Sequence, residues 1–236
     1  MSILYLIRHA QASFGKADYD CLSDLGRHQA EILANHFQNL GLKFDVIYSG
    51  LQLRHEQTLD AYLKKIDKPE NAIFSVLKTD AFNEYDSENI LKTLIPEIIS
   101  REPGFEADVA AMLSSNRSFQ KVLEKIMRIW VSIEKPLKNL ETWHSYSGRV
   151  VAGLKKIMTK ESSGKKVAIF TSGGPISICV QKALNLSDEH TLQLAWQIMN
   201  TSITRFKYSG NRLMLSGFND ITHLELKGDP DLISYR

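Results

Sequence analysis

The sequence predicts an α/β fold, and three observations support this class. Residues 3–7 form an apolar run that is typical of a buried strand. Strand and helix patterns then alternate up to residue 65, and residues 166–171 form another strongly apolar strand that leads directly into a helix. Between these two parts, residues 87–140 carry only helical patterns. We therefore expect a single domain over residues 1–236 with a helical insertion at 87–140.

The first part of the chain reads as strand, helix, strand, helix and strand. Ser23 is placed as the N-cap of a helix whose apolar residues recur at helical spacing until Gly41, a typical C-terminal stop. Residues 44–49 predict the second strand, and residues 51–65 predict the following helix. The third strand is predicted over residues 72–77.

The insertion and the last part of the chain are also readable from their patterns. Two helices are predicted in the insertion on either side of a break at Pro103, and a third helix over about 145–159 is followed by a loop at 162–164. Pro175 is suited to the first position of the helix after strand 166–171. Residues 202–208 and 212–216 alternate like strands and are joined by Ser-Gly-Asn, which predicts a hairpin.

Composition excludes several classes of protein. The 29 Lys and Arg residues against 27 Asp and Glu residues give a net charge of +2, too small to predict a nucleic-acid or membrane partner. Cys21 and Cys179 have neither CxxC spacing nor a histidine cluster beside them, so no disulfide framework or zinc site is expected. Signal-peptide features and a run of about 18 apolar residues are both lacking, which predicts a cytoplasmic protein.

Arg8 and His9 stand where the first strand ends. In an open α/β sheet the ligand crevice lies beyond the carboxyl ends of the strands, so this pair would face a substrate. A neutral imidazole can act as a nucleophile, and a guanidinium binds phosphate oxygens. Alone, such a pair is more often a structural histidine beside a surface cation. We interpret it as the centre of a phosphate-handling site, provided that other parts of the chain supply partners.

Three later stretches supply those partners. Arg54 lies near the start of the helix after the second strand, from where its guanidinium would reach back to the site. Glu84 follows the third strand and is suited to protonate a leaving oxygen and then to activate water. Ser172 and Gly173 follow strand 166–171 and offer a hydroxyl and backbone amides. Each alone is more often a surface or loop residue, so their joint placement at strand ends carries the hypothesis.

Three short motifs occur together in one enzyme family. Residues 6–10 read Leu-Ile-Arg-His-Ala, where the family has a strand ending in Arg-His-Gly. Residues 22–30 match Leu-Ser/Thr-x-x-Gly-x-x-Gln-Ala, and residues 49–58 resemble Ser-x-Leu-x-Arg-x-x-Gln-Thr with one residue of difference near the start. The chain therefore resembles the histidine phosphatase superfamily, in its phosphoglycerate mutase-like branch, over essentially its whole length.

The resemblance implies a fold and a site. The fold is a three-layer α/β/α sandwich with a mostly parallel central sheet. His9 would form a phosphohistidine, Arg8 and Arg54 would bind phosphate, and Glu84 would act as acid and then base. No metal ion or organic cofactor is implied. The residues expected to bind the substrate are Arg8, Ser13, Arg54, Ser172 and Gly173.

Two positions depart from the family pattern. Ala10 replaces the glycine after the catalytic histidine, which fits if the backbone there does not need a positive φ. Ser172 stands where a second histidine is usual, and a serine cannot supply imidazolium charge. Either turnover is slow or another histidine takes its place; His144 is the first candidate and His55 the second, although a structural or surface role is the commoner one for each. His223, in a tail similar to that of some relatives, is expected to be structural.

Three functions remain open at this point. The first is a phosphatase acting on a small phosphorylated metabolite or a phosphoprotein. The second is a mutase, which is disfavoured because Phe14 and Gly15 occupy the place of a Trp-Asn pair common in mutases. The third is a catalytically weak protein that binds a phosphorylated ligand or a protein partner, suggested by Ser172. We expect the insertion at 87–140 to form a cap that selects the substrate, and exposed helix faces would permit a homodimer.

Overall fold

The computed structural model describes residues 1–13, 20–66, 76–112, 114–135, 137, 139–161 and 164–235. The chain forms two compact units. One consists of Met1–Glu84 together with Arg149–Arg236, and the other of Tyr85–Gly148. The first unit carries Arg8, His9, Ser13, Arg54, Glu84, Ser172 and Gly173, whereas His144 belongs to the second.

The first unit is built on a six-stranded sheet with the order β3-β2-β4-β1-β5-β6. Strands β1, β2, β3 and β4 run parallel to one another, β5 runs antiparallel to β1, and β6 runs antiparallel to β5. The α/β class with a mostly parallel sheet is therefore confirmed. The strands are β1 (Ser2–Arg8), β2 (Val46–Ser49), β3 (Val76–Lys78), β4 (Lys166–Thr171), β5 (Ile203–Ser209) and β6 (Arg212–Asp220).

Helices connect the strands and flank the sheet, with further helices in the second unit. Short 3-10 helices occur at Asp80–Phe82 and Pro230–Leu232. The α-helices in the described residues are α1 (Asp24–Asn39), α2 (Leu53–Lys65), α3 (Ser87–Arg101), α4 (Phe105–Ala110), α5 (Asn116–Ser132), α6 (Trp143–Lys160), α7 (Gly173–Leu184), α8 (Asp188–Ala195) and α9 (Thr222–Glu225).

The predicted ends of α1 are confirmed. The hydroxyl of Ser23 accepts a hydrogen bond of 2.9 Å from the backbone N–H of Gly26, which is the N-cap interaction that its position predicts. Gly41 follows the helix with φ of +58°, a conformation in which glycine carries no steric penalty. These two residues therefore mark the beginning and the end of α1.

Several predicted boundaries need correction. Strand β2 begins at Val46 rather than at residue 44, and α7 begins at Gly173, so Pro175 is its third residue rather than its first. A proline fits there because amides of the first helical turn have no intrahelical partner. Residues 72–75 of the predicted third strand, the predicted loop residues 162–163, and Phe14 and Gly15 lie outside the described residues.

An aromatic cluster holds α1 and α2 against the sheet. Phe37 of α1 packs on Phe44 and on Tyr62 of α2, with ring centroids 5.5 and 5.6 Å apart. Tyr62 also contacts Phe170 of β4 at 6.2 Å. Because the rings of Phe37, Tyr62 and Phe170 are fully or almost fully buried, they fix α2 relative to the end of β4. The first turn of α2, which carries Arg54, is thereby placed at the sheet's carboxyl edge.

The second unit is helical throughout its regular elements. It contains α3, α4, α5 and the first residues of α6. The sequence predicts one helix on each side of Pro103, and α4 is an additional helix between them. Its core includes Trp130, Trp143 and Tyr146, which contact one another at centroid distances of 5.4 to 5.9 Å. Both tryptophans therefore serve the core of this unit. Its role as a substrate-selecting cap stays a prediction.

Two sequence expectations concern cysteines and membranes. Cys21 and Cys179 are both free thiols, and burial raises the pKa of Cys179 to about 12, so this thiol is neutral. Within the described ranges, no helix has the length and apolar character required to cross a bilayer.

Candidate active site

His9 is the first residue after β1, and its backbone is held on both sides. Its N–H donates to the carbonyl oxygen of Thr171 at 2.8 Å, which ties it to the end of β4. Its own carbonyl oxygen accepts from the Asn200 side chain at 3.0 Å and from the Thr201 N–H at 3.3 Å. His9 is thus fixed at the carboxyl edge of the two central strands, where the sequence predicts the site.

The imidazole of His9 has a defined tautomer. Its Nδ1 lies 2.7 Å from the carbonyl oxygen of Ala10. Because a carbonyl oxygen only accepts hydrogen bonds, Nδ1 carries the proton and Nε2 carries the free lone pair. Burial holds the pKa of His9 well below its usual value, and the nearby guanidinium groups of Arg54 and Arg8 lower it further. His9 is therefore a neutral imidazole with its Nε2 lone pair available at neutral pH.

The loop after His9 is held by side chains of the family motifs. The backbone N–H of Ala10 donates to the Thr58 hydroxyl at 3.0 Å, and the N–H of Gln11 donates to the Gln29 side chain at 2.9 Å. The N–H of Leu22 donates to the Gln57 side chain at 2.7 Å. Sequence reasoning used these three motif residues as a signature and gave them no role. The occurrence of these residues in the Gln-Ala and Gln-Thr pairs of the family motifs is the signal by which the sequence could have indicated their role.

Ala10 is accommodated without backbone strain. It is absent from the described residues that have a positive φ, so the condition under which alanine can replace glycine is met. Its side chain is fully buried beside Leu22 and Ala30. The alanine therefore fits at this place without strain in the backbone next to His9.

Arg54 lies in the first turn of α2 with a side chain that is only 7% exposed. Its Nη1 is 2.5 Å from Oδ1 of Asp20, and Oδ2 of Asp20 accepts from the Leu53 N–H at 2.7 Å. The carboxylate therefore both orients the guanidinium and satisfies an amide at the start of the helix. The sequence does not predict this role for Asp20, because a single carboxylate outside any motif gives no recognisable pattern.

Arg8 is the last residue of β1. Its Nη1 donates to the carbonyl oxygen of Ile198, and its Nη2 donates to that of Tyr235 at 2.7 Å. Its guanidinium is close enough to lower the pKa of His9. Two carbonyl groups from distant parts of the chain thus orient the second predicted phosphate-binding arginine.

Glu84 lies at the amino end of α7. Its Oε2 accepts a hydrogen bond of 3.1 Å from the Gly174 N–H, and its own N–H donates to the Gln52 side chain at 3.0 Å. The segment before Glu84 is held by Arg149, whose Nη1 donates to the carbonyl oxygens of Asp80, Ala81 and Asn83. The structure therefore brings Glu84 next to the turn that contains Ser172.

Ser172 connects β4 to α7, and Gly173 is the first residue of that helix. The Ser172 hydroxyl is fully buried and lies 2.7 Å from Nε2 of His55, and the ring centroids of His55 and His9 are 5.6 Å apart. A Cβ atom on Gly173 would lie 3.3 Å from the Ala195 carbonyl oxygen and 3.8 Å from Nε of Arg8, so this turn passes close to the first arginine. Of the two candidate substitute histidines, His55 is the one that contacts Ser172.

The remaining predicted residues occupy different surroundings. Ser13 is buried, and its hydroxyl accepts from the Cys21 thiol at 3.6 Å. His144 is exposed in the helical unit. His223 is buried and lies 3.0 Å from the hydroxyl of Thr201, whose N–H binds the His9 carbonyl oxygen, so its surroundings match a structural role. Among the described residues, no group of three or more His, Cys, Asp or Glu side chains is arranged to hold a metal ion.

The sequence profile of the histidine phosphatase superfamily (branch 1) matches residues 4–221 of this chain. The match covers almost the whole sequence and includes His9, Arg8, Arg54, Glu84 and Ser172. The chain belongs to the histidine phosphatase superfamily. A comparison with curated protein sequences gave no significant match.

Solved structures of phosphoglycerate mutase-like proteins share the fold. Bacillus stearothermophilus YhfR aligns with a TM-score of 0.65 at 14% identity, covering 95% of this chain and 100% of its own. Phosphoserine phosphatase from Entamoeba histolytica aligns with a TM-score of 0.62 at 19% identity, covering 95% and 100%. Phosphoglycerate mutase from Bacillus anthracis aligns with a TM-score of 0.62 at 17% identity, covering 97% of each chain. At these identities the likeness establishes the fold.

Proposed function

We propose that this protein is a phosphatase that hydrolyses a phosphomonoester through a phosphohistidine on His9. One observation carries the proposal: the Nδ1 proton of His9 is bound by the Ala10 carbonyl oxygen, which leaves a neutral Nε2 as a nucleophile close to two arginines. A protein that only binds phosphate would need the arginines, but it would have no use for a nucleophile with a fixed tautomer and a carboxylate nearby.

In the first step, Nε2 of His9 attacks the phosphorus atom of the substrate. The P–N bond forms as the P–O bond to the leaving group breaks, and the electron pair of that bond goes to the leaving oxygen. The Glu84 carboxyl group supplies the proton that the leaving oxygen needs. Arg8 and Arg54 bind the non-bridging phosphoryl oxygens and offset their charge.

In the second step, water replaces His9 on the phosphorus atom. The Glu84 carboxylate removes a proton from the water as its oxygen attacks, the P–N bond breaks, and its electron pair returns to Nε2. Inorganic phosphate leaves, and both His9 and Glu84 are restored to their starting protonation states. No metal ion or organic cofactor takes part in the proposed reaction.

The proposed substrate is a small phosphorylated metabolite or a phosphorylated protein side chain. Relatives in fold include a phosphoserine phosphatase and a putative alpha-ribazole-5'-P phosphatase from Escherichia coli, which supports a phosphomonoester as the class. A mutase is the second candidate, since a phosphoglycerate mutase shares the fold. The Phe-Gly pair at 14–15 disfavours it, because mutases commonly carry Trp-Asn at this place.

The test is a single-turnover experiment with phosphate-labelled substrates in the presence of EDTA. Candidates are p-nitrophenyl phosphate, phosphoserine and a panel of phosphorylated metabolites. We expect an acid-labile labelled protein to form and decay in the wild type, and no label in His9→Ala. His28→Ala, which removes an exposed histidine of α1, is the matched control and should label normally.

Each alternative gives a different outcome. Phosphate release by His9→Ala at the wild-type rate would refute the mechanism. Transfer of the label to phosphoglycerate rather than to water would identify a mutase. Saturable binding of phosphate with no labelling and no turnover would identify a binding protein.

A further inference from the structure

The pair formed by Ser172 and His55 has no role in the reaction proposed above. His55 lies in the first turn of α2, next to Arg54, and its ring centroid is 5.6 Å from that of His9. Its Nε2 is 2.7 Å from the hydroxyl oxygen of Ser172. The pair therefore joins the start of α2 to the turn between β4 and α7 directly beside the nucleophile.

Ser172 is free to hold His55 because it does not cap its own helix. It occupies the N-cap position of α7 with an extended backbone, a place where a serine hydroxyl commonly accepts from a helix amide. Its hydroxyl makes no such bond, and the Gly174 N–H is bound by the Glu84 carboxylate instead. The geometry thus assigns the serine to the histidine rather than to the helix.

The contacts of His55 determine its tautomer and its charge. Its Nδ1 is buried and has no hydrogen-bond partner in the described part of the chain. A buried N–H without an acceptor is rarer and more costly than a bare nitrogen lone pair, so the proton belongs on Nε2, which donates to Ser172. Burial holds the pKa of His55 well below its usual value, and the Arg54 guanidinium lowers it further. His55 is therefore neutral.

Gly50 provides the space that the ring occupies. A Cβ atom at this position would lie 2.2 Å from Nδ1 and 2.8 Å from Cε1 of His55. The ring is therefore confined on one face by Gly50, held at Nε2 by Ser172, and placed beside His9. Both Ser172 and His55 are fully buried, and the His55 ring contacts the ring of His9, so the pair can act on the reaction through His9.

We propose that His55, held by Ser172, is a positioning residue that fixes the imidazole of His9 for attack on phosphorus. The pair takes the place of the second histidine that the family usually has before its Gly-Gly. It packs against His9 and orients the His9 ring, but it brings no positive charge to the phosphate. This inference rests on the proposed function, since it needs His9 to be the nucleophile.

The experiment measures the rate of His9 phosphorylation and the binding of inorganic phosphate in single and double variants. His55→Ala should slow phosphorylation by about 10- to 100-fold, because small misplacement of a reacting group costs rates of this order. The KM and the inhibition constant of inorganic phosphate should stay within about twofold, since the arginines that bind phosphate are unchanged. Ser172→Ala should slow the step by a smaller factor.

The double variant tests whether the two residues act as one unit. Combining Ser172→Ala with His55→Ala should cost no more than His55→Ala alone, because the serine acts only through the histidine. His55→Gln, whose amide N–H can reach the serine, should recover most of the rate with an unchanged pH profile, because the wild-type group is neutral. Ser187→Ala is the matched control: Ser187 caps α8 and binds its own histidine, His190, at the surface, and the variant should phosphorylate normally.

Three results would overturn the proposal. The first is a wild-type phosphorylation rate in His55→Ala. The second is a loss in the double variant that equals the product of the two single losses. The third is a weaker affinity for phosphate in His55→Ala at an unchanged rate, which would make the pair a direct phosphate ligand. The ring signals of His9 in nuclear magnetic resonance report its contact with the His55 ring without turnover, and they should change in His55→Ala but not in Ser187→Ala. If the wild type is never labelled but the His9 signals still change in His55→Ala, the proposed function is refuted and the contact between His55 and His9 is established.

Discussion

Gly26 packs on the backbone of Gln11 so closely that a Cβ atom at residue 26 would lie 2.0 Å from the Gln11 carbonyl oxygen. The same oxygen accepts from the Ser23 N–H at 3.0 Å, and the Ser23 hydroxyl donates to the Gln11 side chain at 2.7 Å. The first turn of α1 is therefore attached to the chain two residues after His9. This contact explains the glycine of the Leu-Ser-x-x-Gly motif in physical terms.

Replacing Gly26 by alanine is expected to displace the loop that carries Gln11. The added methyl group meets backbone atoms, which cannot move away as a flexible side chain would. We expect the free energy of unfolding to fall by roughly 1–3 kcal/mol, as for overpacked interiors. The rate of the proposed phosphatase reaction should also fall, because the displaced loop includes the carbonyl group of Ala10 that orients His9. Urea denaturation and steady-state kinetics of Gly26→Ala measure the two effects.

Gly148→Ala is the control for that variant. Gly148 also lies within a helix, but a Cβ atom there meets nothing within 4 Å. Alanine is a better helix former than glycine by about 1 kcal/mol, so this variant should be as stable as the wild type or more stable. Equal destabilisation in both variants would contradict the interpretation, because it would show that the close approach of Gln11 has no special effect.

Thr58→Val tests how the loop that contains Ala10 is held next to His9, the proposed nucleophile. The Thr58 hydroxyl accepts from the Ala10 N–H at 3.0 Å and donates to the Arg54 carbonyl oxygen at 2.7 Å. Valine has the same shape and leaves the buried Ala10 amide without a partner, at a cost of about 1–3 kcal/mol. We expect lower stability in chemical denaturation and slower phosphorylation of His9.

Thr159→Val is the control, because it makes the same threonine-to-valine change at a helix position away from the candidate site. Thr159 also donates to the carbonyl oxygen four residues earlier in its helix, at 3.0 Å, but it is exposed. Its replacement should change stability by no more than about 0.5 kcal/mol and leave the rate unchanged. A Thr58→Val protein that behaves like Thr159→Val would show that the amide of Ala10 needs no partner.

The sequence predicts correctly those elements that have a clear hydrophobic period or a capping residue at their ends. Strand β4 occupies the predicted range, and α1 begins and ends where Ser23 and Gly41 indicate. The short helices α4, α8 and α9 were missed, because with six, eight and four residues they span too few turns to show a period.

The candidate site also has a part that the sequence predicts and a part that it does not. The predicted site residues at the ends of β1 and β4 follow from topology, because parallel strands meet at one edge of the sheet. The contacts of Arg54 with Asp20 and of His55 with Ser172 join residues 34 and 117 positions apart, and no local pattern reports such pairs. The resemblance drew attention to Ser172 as a departure, and only the fold shows that His55 reaches it.

Glu84→Gln should have an effect that depends on the leaving group. Nitrophenolate leaves without being protonated, whereas an alkoxide needs the proton that Glu84 is proposed to supply. We expect losses of about 10²- to 10⁴-fold on phosphoserine and a much smaller loss on p-nitrophenyl phosphate in the phosphorylation step. Glu56→Gln removes a carboxylate of α2 that pairs with Lys78, and it should affect both substrates equally little. Equal losses on both substrates in Glu84→Gln would argue against its role as an acid.

His223 is expected to make the stability of the fold depend on pH. Burial, and then the neighbouring His36, lower the pKa of His223 to about 4, against a usual value of 6.5 in the unfolded chain. The unfolded state therefore binds a proton that the native state excludes, so this contribution is complete above pH 6.5 and is lost as the pH falls toward 4.

The size of this effect can be measured by urea denaturation at two pH values. Between about pH 7.5 and pH 5.5, one such histidine should reduce the free energy of unfolding by about 1.4 kcal/mol. His223→Gln should be less stable than the wild type at the higher pH, because it alters the contact with Thr201, but its loss on acidification should be smaller by about that amount. His28→Gln, which replaces an exposed histidine, should lose stability as the wild type does. If His223→Gln keeps the full wild-type loss, native His223 binds its proton over the same pH range as in the unfolded chain, and its pKa is not lowered by the fold.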